Sequence, residues 1–338
     1  MNEIKKCLIG KNNTCVPIWF MRQAGRYLPE FINIRKKNKD FIKLCLNPDL
    51  SSEITLQPLK RFDVDAAIIF SDILMVPYGL GQSITFIDNL GPVLSKFEID
   101  EFLKRDDRAF TNTLNPVYEA IKKTRKNLDS KKSLISFIGS PWTLAVYMFG
   151  LKKDKVTLDL QLMDKKKSEI DLVLKKITKF LKIHIKNQIN AGADIVQIFD
   201  SWAGLVPEKN IENYCYKPNH TLVDFCKKLS VPVICFPKGI GKKYAIFSKI
   251  VKPNCVNIDF DVDPEWAKKN LNGVCIQGGM DPKILLADKN TIFKEAENFL
   301  KIFRGYPYIF NLGHGLLPQT NPDNVNQLVN FVKNYEYK

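Results

Sequence analysis

EIDLVLKKITKFLKIHIKNQINAGADIVQIFDSWAG, residues 169–204, holds the pattern that decides the fold. Ile170, Val173, Leu174, Ile177, Leu181, Ile185 and Ile189 recur at helical spacing and make one apolar stripe. ADIVQIF (193–199) follows as an almost unbroken apolar run. Such continuity marks a parallel strand buried on both faces, because a half-exposed strand alternates. The run then ends in the polar DSWAG, so a helix feeds a strand and the strand feeds a polar loop. The same strand signal recurs in PIWFM (17–21), DAAIIF (65–70), SLISFIG (133–139), VPVICF (231–236), CVNIDF (255–260), GVCIQGG (273–279) and PYIFNLG (307–313). Eight candidate strands with amphipathic segments between most of them predict an α/β protein of one domain over residues 1–338, a single (β/α)8 TIM barrel. In that fold the active-site cleft gathers at the C-terminal ends of the strands. Here the runs end on Arg22, Asp72, Ser140, Asp200 with Ser201, Lys238, Asp261, Asp281 and His314.

Composition narrows the class. With 45% hydrophobic and 26% charged residues in 338, the chain matches a globular average and excludes a disordered, collagenous or disulfide-scaffold protein. No apolar stretch approaches the ~18 residues of a membrane span. The N-terminal MNEIKKCLIGKNNTCVP has no apolar signal core, so a cytoplasmic protein without a membrane partner is expected. The eight cysteines form no CxxC pair, and no His stands near a Cys or another His at ligand spacing, so no metal site is expected. The net charge of +15 comes from 43 Lys and 8 Arg against 36 acids. Runs such as KKTRKNLDSKK (122–132) carry helical apolar spacing and read as solvated helix faces. No aromatic and basic interleaving suggests a nucleic-acid partner. An anionic small molecule would be attracted by such a balance.

GxGxxG, Walker A, GxSxG and HExxH patterns are all missing, so dinucleotide, nucleotide, serine-hydrolase and zincin readings have no support. FMRQAGRYLPEFINIR (20–35) concentrates three of the eight arginines, Arg22, Arg26 and Arg35, in a chain whose default cation is lysine. Guanidinium forks suit carboxylates or phosphates, although ion pairs with neighbouring loops would use them equally well. In IIFSDILMVPYGLG (68–81), Asp72 sits in an apolar context and must be paired, hydrogen-bonded or used; Ser71 or Asp72 could equally cap the next helix, and spacing does not decide between these. Tyr147, Ser201 and His314 lie in SFIGSPWTLAVYMFG, QIFDSWAG and FNLGHGLLPQTNPDNV, and His314 is flanked by Gly313 and Gly315. His184, on the helical stripe, reads as packing.

These segments together resemble the uroporphyrinogen decarboxylase family from about residue 17 to 332, most specifically in FMRQAGRYLPEF and around NLGHG. The resemblance implies a (β/α)8 barrel working as a homodimer without cofactor. It implies removal of CO2 from the four acetate side chains of uroporphyrinogen III to give coproporphyrinogen III, on the route to haem. By motif position, Arg22, Gln23, Ala24, Gly25 and Arg26 resemble the segment that grips substrate carboxylates, with Arg35 a further basic contact. Asp72 resembles the central carboxylate facing the pyrrole N–H groups, and Tyr147, Ser201 and His314 resemble the polar contacts completing the cleft. After Tyr147 that family often continues with a glutamate, glycines and a Ser-Lys pair, whereas this chain reads MFGLKKDKVTLDLQL. The alternative on the same barrel is a corrinoid-dependent methyltransferase with a zinc-binding His-x-Cys pair. The comparable strand end here, Cys235-Phe236-Pro237-Lys238, lacks that pair.

Overall fold

The computed structural model describes residues 2–11, 15–87, 91–154 and 156–337. Its strands are β1 (Ala66–Ile68), β2 (Ile84–Ile87), β3 (Gly91–Leu94), β4 (Ser133–Gly139), β5 (Ile195–Asp200), β6 (Val233–Pro237), β7 (Cys255–Ile258), β8 (Cys275–Gly278) and β9 (Tyr308–Ile309). Seven of them form one parallel sheet in the order β1-β4-β5-β6-β7-β8-β9. Each neighbour is reached through an intervening helix, as with Lys167–Asn190 between β4 and β5. The continuous apolar runs explain the burial: every residue of β6, β7 and β8 is buried, with helices covering the outer face.

Two features differ from the sequence expectation. Eight ladder strands were expected, and the sheet has seven among the described residues. PIWFM makes only an isolated parallel bridge, Ile18 to Phe310. The reason is local: Pro17 has no N–H to give, and the Ile18 N–H is spent on the Asp65 carboxylate at 2.8 Å instead of on a neighbouring backbone. The segment nevertheless bonds both edges of the sheet. Phe310 N–H donates to Pro17 O at 2.8 Å on the β9 side, and Asp65 N–H donates to Ile18 O at 2.8 Å on the β1 side. The second difference is the antiparallel pair β2–β3, whose alternating exposure shows it lies on the surface.

Inside the sheet, polar side chains form a connected layer. Trp19 Nε1–H donates to Gln277 Oε1 at 2.9 Å, and Gln277 Nε2–H donates to Asn257 Oδ1 at 2.9 Å. Gln277 and Asn257 are fully buried, so their mutual hydrogen bonds offset the desolvation each would otherwise suffer.

His184 packs as expected and does more. Its ring hydrogen-bonds the Tyr118 hydroxyl at 3.0 Å and the Gln188 amide at 2.7 Å. Burial lowers its pKa to about 3. The unfolded chain therefore binds this proton below pH 6.5 while the folded chain refuses it, so stability present above 6.5 is lost as pH falls. Each unit below 6.5 should cost roughly 1.4 kcal/mol from this group. Urea unfolding at pH 7, 6 and 5 should show that slope reduced by about this amount in His184→Gln. An unchanged slope would assign the acid sensitivity elsewhere.

Candidate active site

Arg22 sits in a turn that the interior holds in place. The Gln23 side chain accepts the Phe20 N–H at 3.0 Å and donates to Ala66 O at 2.9 Å, tying the turn to β1. Asn311 Oδ1 accepts the Met21 N–H at 3.2 Å from the other edge. Held this way, Arg22 adopts φ +61°, a left-handed conformation that costs an ordinary residue about 1–2 kcal/mol. A Cβ on Gly315 would come within 2.5 Å of Arg22 Cδ, so only glycine lets the guanidinium stem lie across that loop. Gly25 serves the turn itself, since a Cβ there would lie 2.9 Å from Arg22 O.

Asp72 follows β1 and is fixed through Phe70. Ser51 Oγ–H donates to Phe70 O at 2.6 Å, and Thr55 Oγ1 accepts the Phe70 N–H at 2.8 Å, both from the helix Pro48–Arg61. Asp72 Oδ1 accepts the Leu74 N–H at 2.8 Å, so the capping role and a functional role coexist. Among the described residues no hydrogen bond occupies Oδ2. Burial raises the Asp72 pKa to about 6, opposed by the Leu74 N–H and by the Arg22 charge. Arg22 is exposed and Asp72 partly exposed, so both can meet a ligand from solvent.

Tyr147 and His314 join this pair. Tyr147 is a partly open residue of the otherwise buried helix Pro141–Met148, which Ser140 caps by accepting the Thr143 N–H at 3.1 Å. Burial raises its pKa, Trp202 opposes that, and the charges of Asp72 and Arg22 both act on it. His314 is held near pKa 4 by burial and then by the positive charges of Arg22 and Lys238, so its imidazole is neutral at physiological pH. Arg26 also acts on Arg22, whose pKa is lowered by burial first and by this neighbour second.

The other sequence candidates fall differently. Gln23 is buried, and its backbone is engaged too: its N–H donates to Phe20 O at 3.1 Å and its carbonyl accepts the Tyr27 hydroxyl at 2.8 Å. It builds the turn and offers a ligand nothing further. The backbone N–H groups of Ala24, Gly25 and Arg26 have no acceptor among the described residues. Arg35 donates to Asn38 O and lies 5.5 Å from the Phe41 ring centroid, and its charge is not among those acting on Asp72. Ser201 is exposed, makes no hydrogen bond among the described residues and is joined to the cluster only through its neighbour Trp202.

Asp259 and Lys238 are two further charged groups beside this cluster. Asp259 is 4% exposed, and its Oδ2 accepts the Gly239 N–H at 2.7 Å and the Tyr244 hydroxyl at 3.0 Å. Lys238 lies at the end of β6, and its charge acts on both His314 and Asp259. The strand-end position of Lys238 was the available signal; Asp259 sat inside CVNIDF and read as the strand itself. Cys235, at the position compared with a zinc thiolate, is 1% exposed, and burial pushes its thiol well above the ordinary value. A concavity lined by Lys5, Ala193, Asp194 and Val231 lies at the N-terminal ends of β5 and β6, the opposite end from this cluster.

Among solved structures, a methyltransferase from Methanosarcina mazei superposes with a TM-score of 0.76 at 16% identity, covering 98% of this chain and 97% of its own, which shows the shared fold. Among curated proteins, the uroporphyrinogen decarboxylase of Rickettsia bellii (strain RML369-C) is 42% identical over 325 residues, 95% of this chain and 96% of its own. That of Orientia tsutsugamushi (strain Ikeda) is 41% identical over 340 residues, covering 99% of both. The family model for uroporphyrinogen decarboxylase (URO-D) matches residues 1–335, so, with these relatives, the chain belongs to the uroporphyrinogen decarboxylase family.

Proposed function

We propose that this enzyme removes CO2 from the four acetate side chains of uroporphyrinogen III to give coproporphyrinogen III, on the route to haem, with no cofactor. The observation that carries the reading is Asp72, a partly exposed carboxylate within electrostatic range of Arg22 and Tyr147 and, through Arg22, of His314. Losing CO2 from an acetate on a pyrrole needs an electron sink. Protonating the ring carbon supplies one, because the ring then carries a cationic iminium that accepts the electron pair released with CO2. The exocyclic methylene so formed then takes a proton and the ring carbon gives one up, leaving a methyl group. An anion beneath the pyrrole nitrogens stabilises that cation more than the neutral ground state, which lowers the barrier rather than merely tightening binding. Arg22, Arg26 and the free N–H groups of Ala24, Gly25 and Arg26 would hold peripheral carboxylates. Arg35, Tyr147, Ser201 and His314 would complete the contacts, with Gln23 positioning the turn.

The same reading takes residues 1–338 as one catalytic domain and takes Pro17–Trp19 as the eighth staves' position of a closed (β/α)8 barrel. The closure is supported by its hydrogen bonds to both sheet edges. It further takes the enzyme to be a homodimer in the cytoplasm; no helix among the described residues is long and apolar enough to cross a membrane.

Anaerobic incubation of the purified protein with uroporphyrinogen, followed by chromatography of the oxidised products, should show successive loss of four carboxyl groups. Unaltered octacarboxylate would overturn the reading. Because Asp72 acts as an anion and its pKa in the free enzyme is about 6, kcat/KM should fall as pH drops through 6. A profile flat from pH 7.5 to 5 would contradict an anionic Asp72 in that role.

A further inference from the structure

After Tyr147 the chain departs from the related family's pattern, and several of its described residues are tied by hydrogen bonds. Gly150 turns the chain at φ +63°. Leu151 N–H donates to Val146 O at 2.9 Å, Asp159 N–H donates to Leu151 O at 2.8 Å, and Lys152 bridges antiparallel to Leu158. Buried Leu151 and Leu158 anchor this loop, and it sets the Lys152 ammonium 6.0 Å from the Trp202 ring centroid.

Trp202 is a fixed seat. Its N–H donates to Thr143 Oγ1 at 3.2 Å and its carbonyl accepts the Trp142 indole N–H at 3.1 Å. Thr143 donates in turn to Asp200 Oδ1 at 2.8 Å, and Asn219 donates to Asp200 Oδ2 at 2.9 Å. The Trp202 ring meets the Tyr147 ring at 5.9 Å and 73°. The indole therefore touches Tyr147 and has Lys152 over it. An aromatic face attracts an ammonium without neutralising it. Lys152 is exposed, and among the described residues it pairs with no carboxylate, unlike Lys5, Lys132 or Lys333. An exposed cation with no carboxylate partner among the described residues, over an indole that touches Tyr147, suits an anionic group of the ligand.

We propose that Lys152, seated on the Trp202 indole, binds one peripheral carboxylate of the substrate on the Tyr147 side of the cleft. The proposal rests on the decarboxylase reading above and deepens it by naming a further substrate contact. Lys153, next in the chain, has no aromatic seat among the described residues and serves as the internal control.

The test uses the full chain and two readouts. Uroporphyrin, the stable oxidised octacarboxylate, is titrated by fluorescence, and KM and kcat are measured anaerobically with uroporphyrinogen. Lys152→Gln should raise both the uroporphyrin Kd and KM by about 3–10-fold, between the value of an exposed ion pair and that of a charge-assisted hydrogen bond, with kcat within about twofold. Lys152→Arg should restore binding, and Lys153→Gln should leave it within about twofold. The proposal is overturned if Lys152→Gln binds like the parent, or if Lys153→Gln loses as much, which would mark a general charge effect. If the parent protein binds uroporphyrin with this lysine dependence yet turns over no uroporphyrinogen, the decarboxylase reading fails while the Lys152 contact stands.

Discussion

Asp72→Asn is expected to lower kcat by about 10²–10³-fold, the range found when one preorganised charge-stabilising group is removed, while the Kd for uroporphyrin changes only a few-fold. Asn keeps the acceptor for the Leu74 N–H at 2.8 Å, so the turn after β1 should survive and the loss should report charge alone. Stability should move the opposite way. The folded pKa of about 6 lies above the ordinary 3.8, so the ionised carboxylate destabilises the fold by its full cost above pH 6, and that cost fades between 6 and 3.8. The substitution should therefore stabilise the protein by roughly 1–3 kcal/mol at pH 8, by about half as much at pH 5 and by little below 3.8, as read by urea unfolding. A variant both slower and more stable is the signature of a charge kept for chemistry. Near-parental turnover would remove Asp72 from the role.

Arg22→Gln should be nearly as damaging, for two separable reasons. Arg22 is a guanidinium of the proposed carboxylate grip, so KM for uroporphyrinogen should rise by about 10–100-fold. It is also the charge that opposes the burial-driven rise of Asp72, so without it Asp72 should hold its proton to higher pH. The acid limb of kcat/KM should then move upward from about 6. A rise in KM with an unmoved acid limb would show that Arg22 only binds. Lys at this position keeps the charge but loses the fork, so Arg22→Lys should hold the limb in place and still raise KM.

What the sequence reveals depends on whether the determining interaction is local. The buried strands are legible because ADIVQIF and VPVICF carry their own burial as unbroken apolar runs. PIWFM looks the same, yet its pairing is decided by Asp65, a residue 47 positions away that takes the Ile18 N–H. Asp72 and His314 stand out through apolar or glycine surroundings. The left-handed backbone of Arg22 does not, because it is imposed by Gln23, Asn311 and the clearance at Gly315 rather than by Arg22 itself. Gln23 reads as part of a ligand grip by its place in the motif, and only the fold reveals that β1 consumes its side chain. Asp259 reads as strand because its neighbours are apolar, and its partners Gly239 and Tyr244 lie on the preceding unit. Lys152 is hidden among 43 lysines until Trp202 is seen beneath it.

The central claim is that Asp72 faces the pyrrole nitrogens. It is tested most directly by a crystal structure of the enzyme with coproporphyrinogen bound under anaerobic conditions. Pyrrole N–H groups converging within hydrogen-bond distance of the Asp72 carboxylate, with peripheral carboxylates at Arg22 and Arg26, is the arrangement the account predicts. A macrocycle seated with its nitrogens away from Asp72 would contradict it.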